Sequence, residues 1–293
     1  MPTAREQAVA PLLRSGSLEQ LARLCPGLVQ DGDTALLQKL QARLLSMRPA
    51  PQSLPVVLAN AEALLICQAP QAALKVLDRY GPAPGAERSA WLLLRWRAAN
   101  AGLDHRTAAL ALQDLAGTGW SRLERLQLVV SRNADGRVIT RSALDQLAGH
   151  LESLGLAQAA AEVLLTSSTP GEATARRLAQ AVALLAQLPL SDQMRLLDLA
   201  LDQAAASGAW VLVSELLDRQ LAVPATAETE AFRARAAERR LRLSRRLDDA
   251  YGEWSMPPSP SATRKRGEEL ERQLRSPRSP GGHAVIPTPV TPP

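Results

Sequence analysis

Aromatic side chains are nearly missing from this chain, whose 293 residues include five Trp, two Tyr and one Phe. Any core must therefore be built from leucine, alanine and valine, a mixture whose intrinsic propensity favours helix over strand. Clusters of β-branched residues are as scarce. Val138-Ile139-Thr140 and Ala284-Val285-Ile286 are the ones of note, and neither alternates long enough to predict a sheet.

The groups that carry chemistry are few. Three histidines, His105, His150 and His283, stand far apart, and there is no HExxH, CxxC, GxSxG or glycine-rich phosphate loop. The adjacent acids Asp248-Asp249 and Glu268-Glu269 diverge by about 100° on a helix, unlike a general acid and base that must converge. These absences argue against an enzyme, and no catalytic residue, cofactor or metal site is expected. Two cysteines, Cys25 and Cys67, fall in predicted helices without metal-ligand spacing and are expected to be buried free thiols. No apolar run approaches the roughly 18 to 20 residues of a membrane span, and the N-terminal stretch lacks a sustained apolar segment of the secretory kind. A soluble cytoplasmic protein is the expectation.

What the chain does hold is helical grammar. Apolar residues make up 46% of it, enough for a core. Leu144, Leu147, Leu151 and Leu154 follow one another at 3-4-3 spacing and form an apolar seam on one side of a helix. Gly155 ends that pattern, and Ala160, Ala161, Val163 and Leu164 give the next helix a side made small by alanine, so that two helix axes can approach closely. The same arrangement recurs at Gly16, Gln68, Gly102 and Gly208, at intervals of 52, 34, 53 and 53 residues. Between the turns, helices are predicted over 33–47, 56–67, 70–80, 87–100, 105–116, 121–131, 170–188, 191–206 and 210–221. Short connections make neighbours antiparallel, and hairpins that each expose an apolar face stack on the next.

Residues 57–84 carry Ala61 and Leu64 in a first helix, Ala73 and Leu77 in a second, and prolines at 82 and 84. In these features the chain resembles the tetratricopeptide-like (TPR-like) helical repeats, best over residues 55–116, although Trp96 stands where that family has a small residue. The resemblance implies a superhelical scaffold that binds a partner.

Charge is unevenly spread. Residues 1–224 hold 21 Lys+Arg against 20 Asp+Glu, and residues 225–293 hold 13 against 9, so most of the net charge of +5 belongs to the C-terminal part. One long amphipathic helix is predicted over 226–254, with Phe232, Ala236, Leu243, Leu247, Ala250 and Trp254 along one side. Arg235, Arg239, Arg242, Arg245 and Arg246 line an adjoining one. Such a helix either caps the last hairpin, leaving its arginines in water, or offers them to an acidic partner, nucleic acid or an anionic membrane surface. A linker, a short charged helix over 262–274 and a Pro/Ser-rich tail follow. In the tail Pro277 with Pro280 and Pro289 with Pro292, like Pro257 with Pro260 before it, keep PxxP spacing.

The expected fold is all-α: an irregular right-handed α-solenoid of antiparallel hairpins over 1–224, a basic capping helix over 225–254, and a mostly disordered tail over 255–293. The expected function is a non-enzymatic scaffold that holds another protein's peptide or helix on a concave surface, with Trp91, Trp96 and the five arginines above as candidate contacts. Nucleic-acid or anionic-surface binding through the arginines is the alternative.

Overall fold

The structure is a computed structural model and describes residues 4–47, 51–117, 119–133, 135–256 and 264–275. It is all-α apart from one small hairpin. The tail with its proline pairs, His283 and Ala284-Val285-Ile286 lie outside the described residues, as do Pro257 and Pro260. The chain forms two compact units, Met1–Ser167 and the remainder from Ser168.

The first unit contains α1 (Ala4–Ser15), α2 (Leu18–Asp31), α3 (Thr34–Ser46), α4 (Leu54–Ile66), α5 (Pro70–Leu77), α6 (Ala86–Ala101) and α7 (His105–Ala116). It continues with α8 (Ser121–Arg125), β1 (Gln127–Arg132), β2 (Val138–Ser142), α9 (Ala143–Ser153) and α10 (Ala157–Leu165). Hairpin pairs α4/α5, α6/α7 and α9/α10 each pack on the next, and α2, α4 and α6 lie side by side as a second layer of contact. Small residues make the close approaches. Ala108, Ala109, Ala111 and Ala116 of α7 and Ala160 and Ala161 of α10 are all buried, with Leu112, Leu115 and Leu164 between them.

All five expected turns are hairpin turns. Gly155 and Gly208 end helices at φ 75° and 73°, the left-handed region where a side chain is disfavoured. At two others a residue with a side chain takes that conformation, Gln68 at φ 55° and Leu103, rather than Gly102, at φ 56°.

Two expectations fail in this unit. The segment 121–131 is not one helix: α8 stops at Arg125, and β1 pairs antiparallel with β2, from Gln127 with Ser142 to Arg132 with Val138, with a bulge between Val129 and Ser131. The Val129-Val130 and Val138-Ile139-Thr140 clusters thus find each other across the turn at Asn133–Arg137, where Arg137 N–H donates to Asn133 Oδ1 at 2.7 Å. Cross-strand pairing supplies what neither segment had alone. The cysteines are buried as expected but are not free thiols. Cys25 on α2 and Cys67 at the end of α4 form a disulfide, because the side-by-side packing of those helices brings their Cα atoms to 4.9 Å.

The second unit contains α11 (Glu172–Leu184), α12 (Leu190–Ala206), α13 (Trp210–Ala222), α14 (Glu230–Arg246), α15 (Ala250–Trp254) and α16 (Arg264–Leu274). Ala175, Leu197, Leu201, Leu216, Leu217, Ala236 and Leu243 form its shared core, so α14 docks on the helices before it. The continuous helix expected over 226–254 is broken. Asp248 takes a left-handed φ of 52°, and Asp249 caps α15 by accepting from Gly252 N–H at 2.9 Å. The apolar side drawn through the break therefore does not hold together, and Leu247 and Trp254 are about half exposed while Ala236, Leu243 and Ala250 are buried. The charged helix α16 returns against α15, where Glu253 holds Arg266 at 2.6 Å and Arg245 at 2.9 Å.

Candidate functional site

Of the two candidate tryptophans neither offers a free indole N–H. Trp96 is buried, and its N–H donates to His150 Nε2 at 3.2 Å. Trp91, half-buried, donates to the Leu77 carbonyl at 3.0 Å and is covered by the Arg95 guanidinium, 5.0 Å from the ring centroid. Both side chains hold α6 to its neighbours.

The surface around α6 is more suggestive. Between α2 and α4 opens a cavity of about 570 Å³, with Ala22 and Pro26 on one wall and Ala59, Ala63 and Ile66 on the other. Between α4, α6 and β1 opens a second of about 520 Å³, lined by Leu58, Ala90, Leu93, Leu128 and Val129. Glu62 belongs to both, so the two form one groove across the α2–α4–α6 layer. Its floor is apolar and its rim carries Glu19, Arg23, Glu62, Arg97 and Arg132, mixed in sign. The Cys25–Cys67 disulfide joins the same two helices, α2 and α4, without lining the cavity. Sequence reading missed this groove because it depends on which helices stand side by side, and its residues are ordinary alanines and leucines.

The five candidate arginines are mostly engaged. Arg235 and Arg239 reach Asp198 of α12 at 3.6 and 3.0 Å, Arg242 pairs with Glu238 one turn back at 3.2 Å, and Arg245 bonds Glu253. Arg246 instead lies over the Trp210 ring, 5.0 Å from its centroid. Two arginines outside the candidate set do the most to fasten α14. Arg233 donates to the carbonyls of Leu221 and Val223 at the end of α13, and Arg240 bonds Asp218 at 2.9 Å and Ser244 at 2.7 Å. Arg240 is nearly buried, at 13% side-chain exposure, against 65% for Arg242. Losing the Arg240 bonds, of which the one to Ser244 is part-buried and the one to Asp218 reaches an exposed acid, costs about 1 kcal/mol, whereas an exposed i,i+4 pair contributes about 0.5 or less. Arg240→Ala should accordingly lower the urea midpoint of the second unit clearly and Arg242→Ala hardly at all. Equal shifts would mean that α14 is not fastened in this way.

The structure joins two histidines that lie 45 residues apart. His105, first residue of α7, and His150 on α9 face each other with Nδ1 atoms 3.1 Å apart. Indole is a donor only, so His150 Nε2 must accept from Trp96 and the His150 proton sits on Nδ1, from which it is donated to His105. With both ring nitrogens committed, His150 has no lone pair for a metal ion. Burial lowers its pKa to about 4, with the His105 charge contributing in the same direction. Close by, Asp104 caps α7, and the Thr107 hydrogen bonds, helped by Arg95, hold its carboxyl below the usual range. The cluster is an interhelical polar tie with the chemistry of a buried neutral imidazole.

Comparison with family models, curated proteins and solved structures returns no match.

Proposed function

We propose that the chain is a non-enzymatic interaction scaffold, an irregular right-handed solenoid of hairpins that binds a peptide or helix of another protein in the groove across α2, α4 and α6. One observation carries this reading: two cavities of about 570 and 520 Å³ meet at Glu62 on an apolar layer of adjacent helices. Apolar floors with a few charged groups at the rim suit a helix or extended segment that inserts side chains at intervals. The mixed rim favours a partner without strong net charge. Binding of nucleic acid along the whole arginine row is the weaker reading, because Arg235, Arg239, Arg242 and Arg245 have acids as partners.

A display library of peptides selected on the full chain tests the reading. Ala59→Arg and Ala90→Arg place long side chains into the two cavities from exposed helix positions, so the fold should persist while binding of selected peptides falls about tenfold or more. Binding should change little with salt. Peptides that bind both variants as well as the parent chain would sink the proposal, as would retrieval of RNA or DNA alone from native lysate.

No helix among the described residues is long and apolar enough to cross a membrane. The sequence suggests the cytoplasm, whereas the Cys25–Cys67 disulfide favours an oxidising compartment, where such bonds persist.

A further inference from the structure

The second unit has a recess of its own, between α12, α13 and α14, of about 450 Å³. Trp210, Leu217 and Leu243 form its apolar side, and Arg239, Arg242 and Arg246 stand along α14 beside them. Those arginines are spaced i, i+3 and i+7, so the row spans about 10 Å, two helical turns. Asp202 is the acid of the opposite wall. Arg239 is drawn toward Asp198 and Arg242 keeps only a solvent-exposed partner, while Arg246 is spread on the Trp210 ring. Positive charge is thus directed to one margin of an apolar trough.

We infer that this recess is a second docking site, distinct from the α2–α4–α6 groove, for an acidic amphipathic helix of another protein. On such a helix, carboxylates at i, i+3 or i+4, and i+7 repeat at the pitch of the arginine row, and leucines beside them fall over Leu217 and Leu243. Charge complementarity along α14 selects for acids, and the apolar floor requires more than a polyanion. Asp202 would repel a phosphate backbone, and Arg246 covers the aromatic face on which a base would stack. A second copy of this chain is a poor occupant, since the exposed acids Glu268, Glu269 and Glu271 of α16 are already paired within that helix.

The probe is a fluorescein-labelled, helix-stabilised peptide carrying Glu at i, i+3 and i+7 with Leu on the same side, titrated against the full chain by anisotropy. Its affinity should fall about tenfold or more in the double variant Arg242→Glu, Arg246→Glu, and should weaken with salt. That variant leaves Arg233, Arg235, Arg239 and Arg240 to hold α14, so its helical circular dichroism and urea midpoint should stay near those of the parent chain. Ala205→Arg, which adds bulk at the lining of the trough without removing its charge, should weaken the peptide as well. Four results would overturn the inference. One is a Glu peptide that binds no better than its Lys counterpart, and another is a peptide with Ser in place of Leu that binds equally. A third is an oligonucleotide or phosphatidylserine vesicle that outcompetes the peptide at the same arginines. The fourth is self-association in sedimentation that the double variant abolishes, making a second copy the occupant. Ala59→Arg leaves this site intact, so loss of peptide binding there does not bear on it.

Discussion

Reduction of the Cys25–Cys67 disulfide should lower the stability of the first unit by about 4 kcal/mol, the chain-entropy value for closing a loop across the 42-residue separation. For a unit of this size the melting temperature would fall by about 10 °C. Both sulfurs are fully buried, so reductant added to the native protein should act slowly, and the comparison is between chains refolded with and without it. Cys25→Ala with Cys67→Ala should reproduce most of the loss and become insensitive to reductant. The bond links α2 to α4, so the loosening should appear first as faster amide exchange along the wall of the groove formed by Ala22 and Pro26. If denatured, unreduced protein takes up two thiol-specific labels, the crosslink is absent and the prediction fails with it.

Acidification should cost about 3 kcal/mol through His150 alone. The imidazole is kept neutral in the folded chain with a pKa of about 4, against 6.5 in the ordinary case, so between those values the unfolded chain binds the proton that the folded chain refuses. The stabilisation from His150 is therefore complete above about pH 6.5 and is lost progressively as pH falls toward 4. Protonation puts a second N–H against the Trp96 indole, where two donors face each other, and α6 and α9 lose their tie. Urea midpoints measured from pH 7 to 4 should slope steeply for the parent chain. In His150→Gln the slope over this range should flatten, with a lower midpoint at pH 7 because the buried polar tie is remade imperfectly. An unchanged slope in the variant would assign the acid sensitivity elsewhere.

Much of the fold was legible because it is written locally. A glycine or polar residue after a leucine seam, followed by alanines, marks a close-packed hairpin, and Leu144, Leu147, Leu151, Ala160 and Ala161 are buried as that pattern requires, whereas Leu154, the expected fourth leucine of the seam, stands at the C-cap beside Gly155 and is exposed. What was not legible depends on partners distant in the chain. Cys25 and Cys67 meet because α2 lies beside α4, and His105 meets His150 because α7 lies beside α9; no spacing rule brings either pair together. The segment 121–131 opens with the helix formers Arg122, Leu123, Glu124 and Arg125 and closes with the β-branched pair Val129-Val130, and only pairing with 138–142 turns that second half into strand. The break after α14 did carry a local mark, since Asp249 three residues before Gly252 is a capping arrangement, but the longer run of helix formers around it obscures that signal. The arginines were read correctly as a charged side of a helix. Their acids at Asp198, Asp218 and Glu253, which turn most of that side into an attachment, come from three other segments.

The α8 and hairpin segment bears on the irregular spacing of the turns. Helix α7 packs directly on α9, although the hairpin stands between them in sequence. The segment also closes on itself: Gln127 pairs with Ser142, and Ala143 N–H donates to the Leu126 carbonyl at 2.8 Å. The chain thus leaves the helical stack at Leu126 and re-enters it one residue-width away, as a detour that could be excised with its two ends nearly joined. Because α7 meets α9 without it, the hairpin between Gln127 and Ser142 can change in length at its tip without disturbing the contact of those two helices, which makes that tip the place in this unit where added residues should be tolerated best.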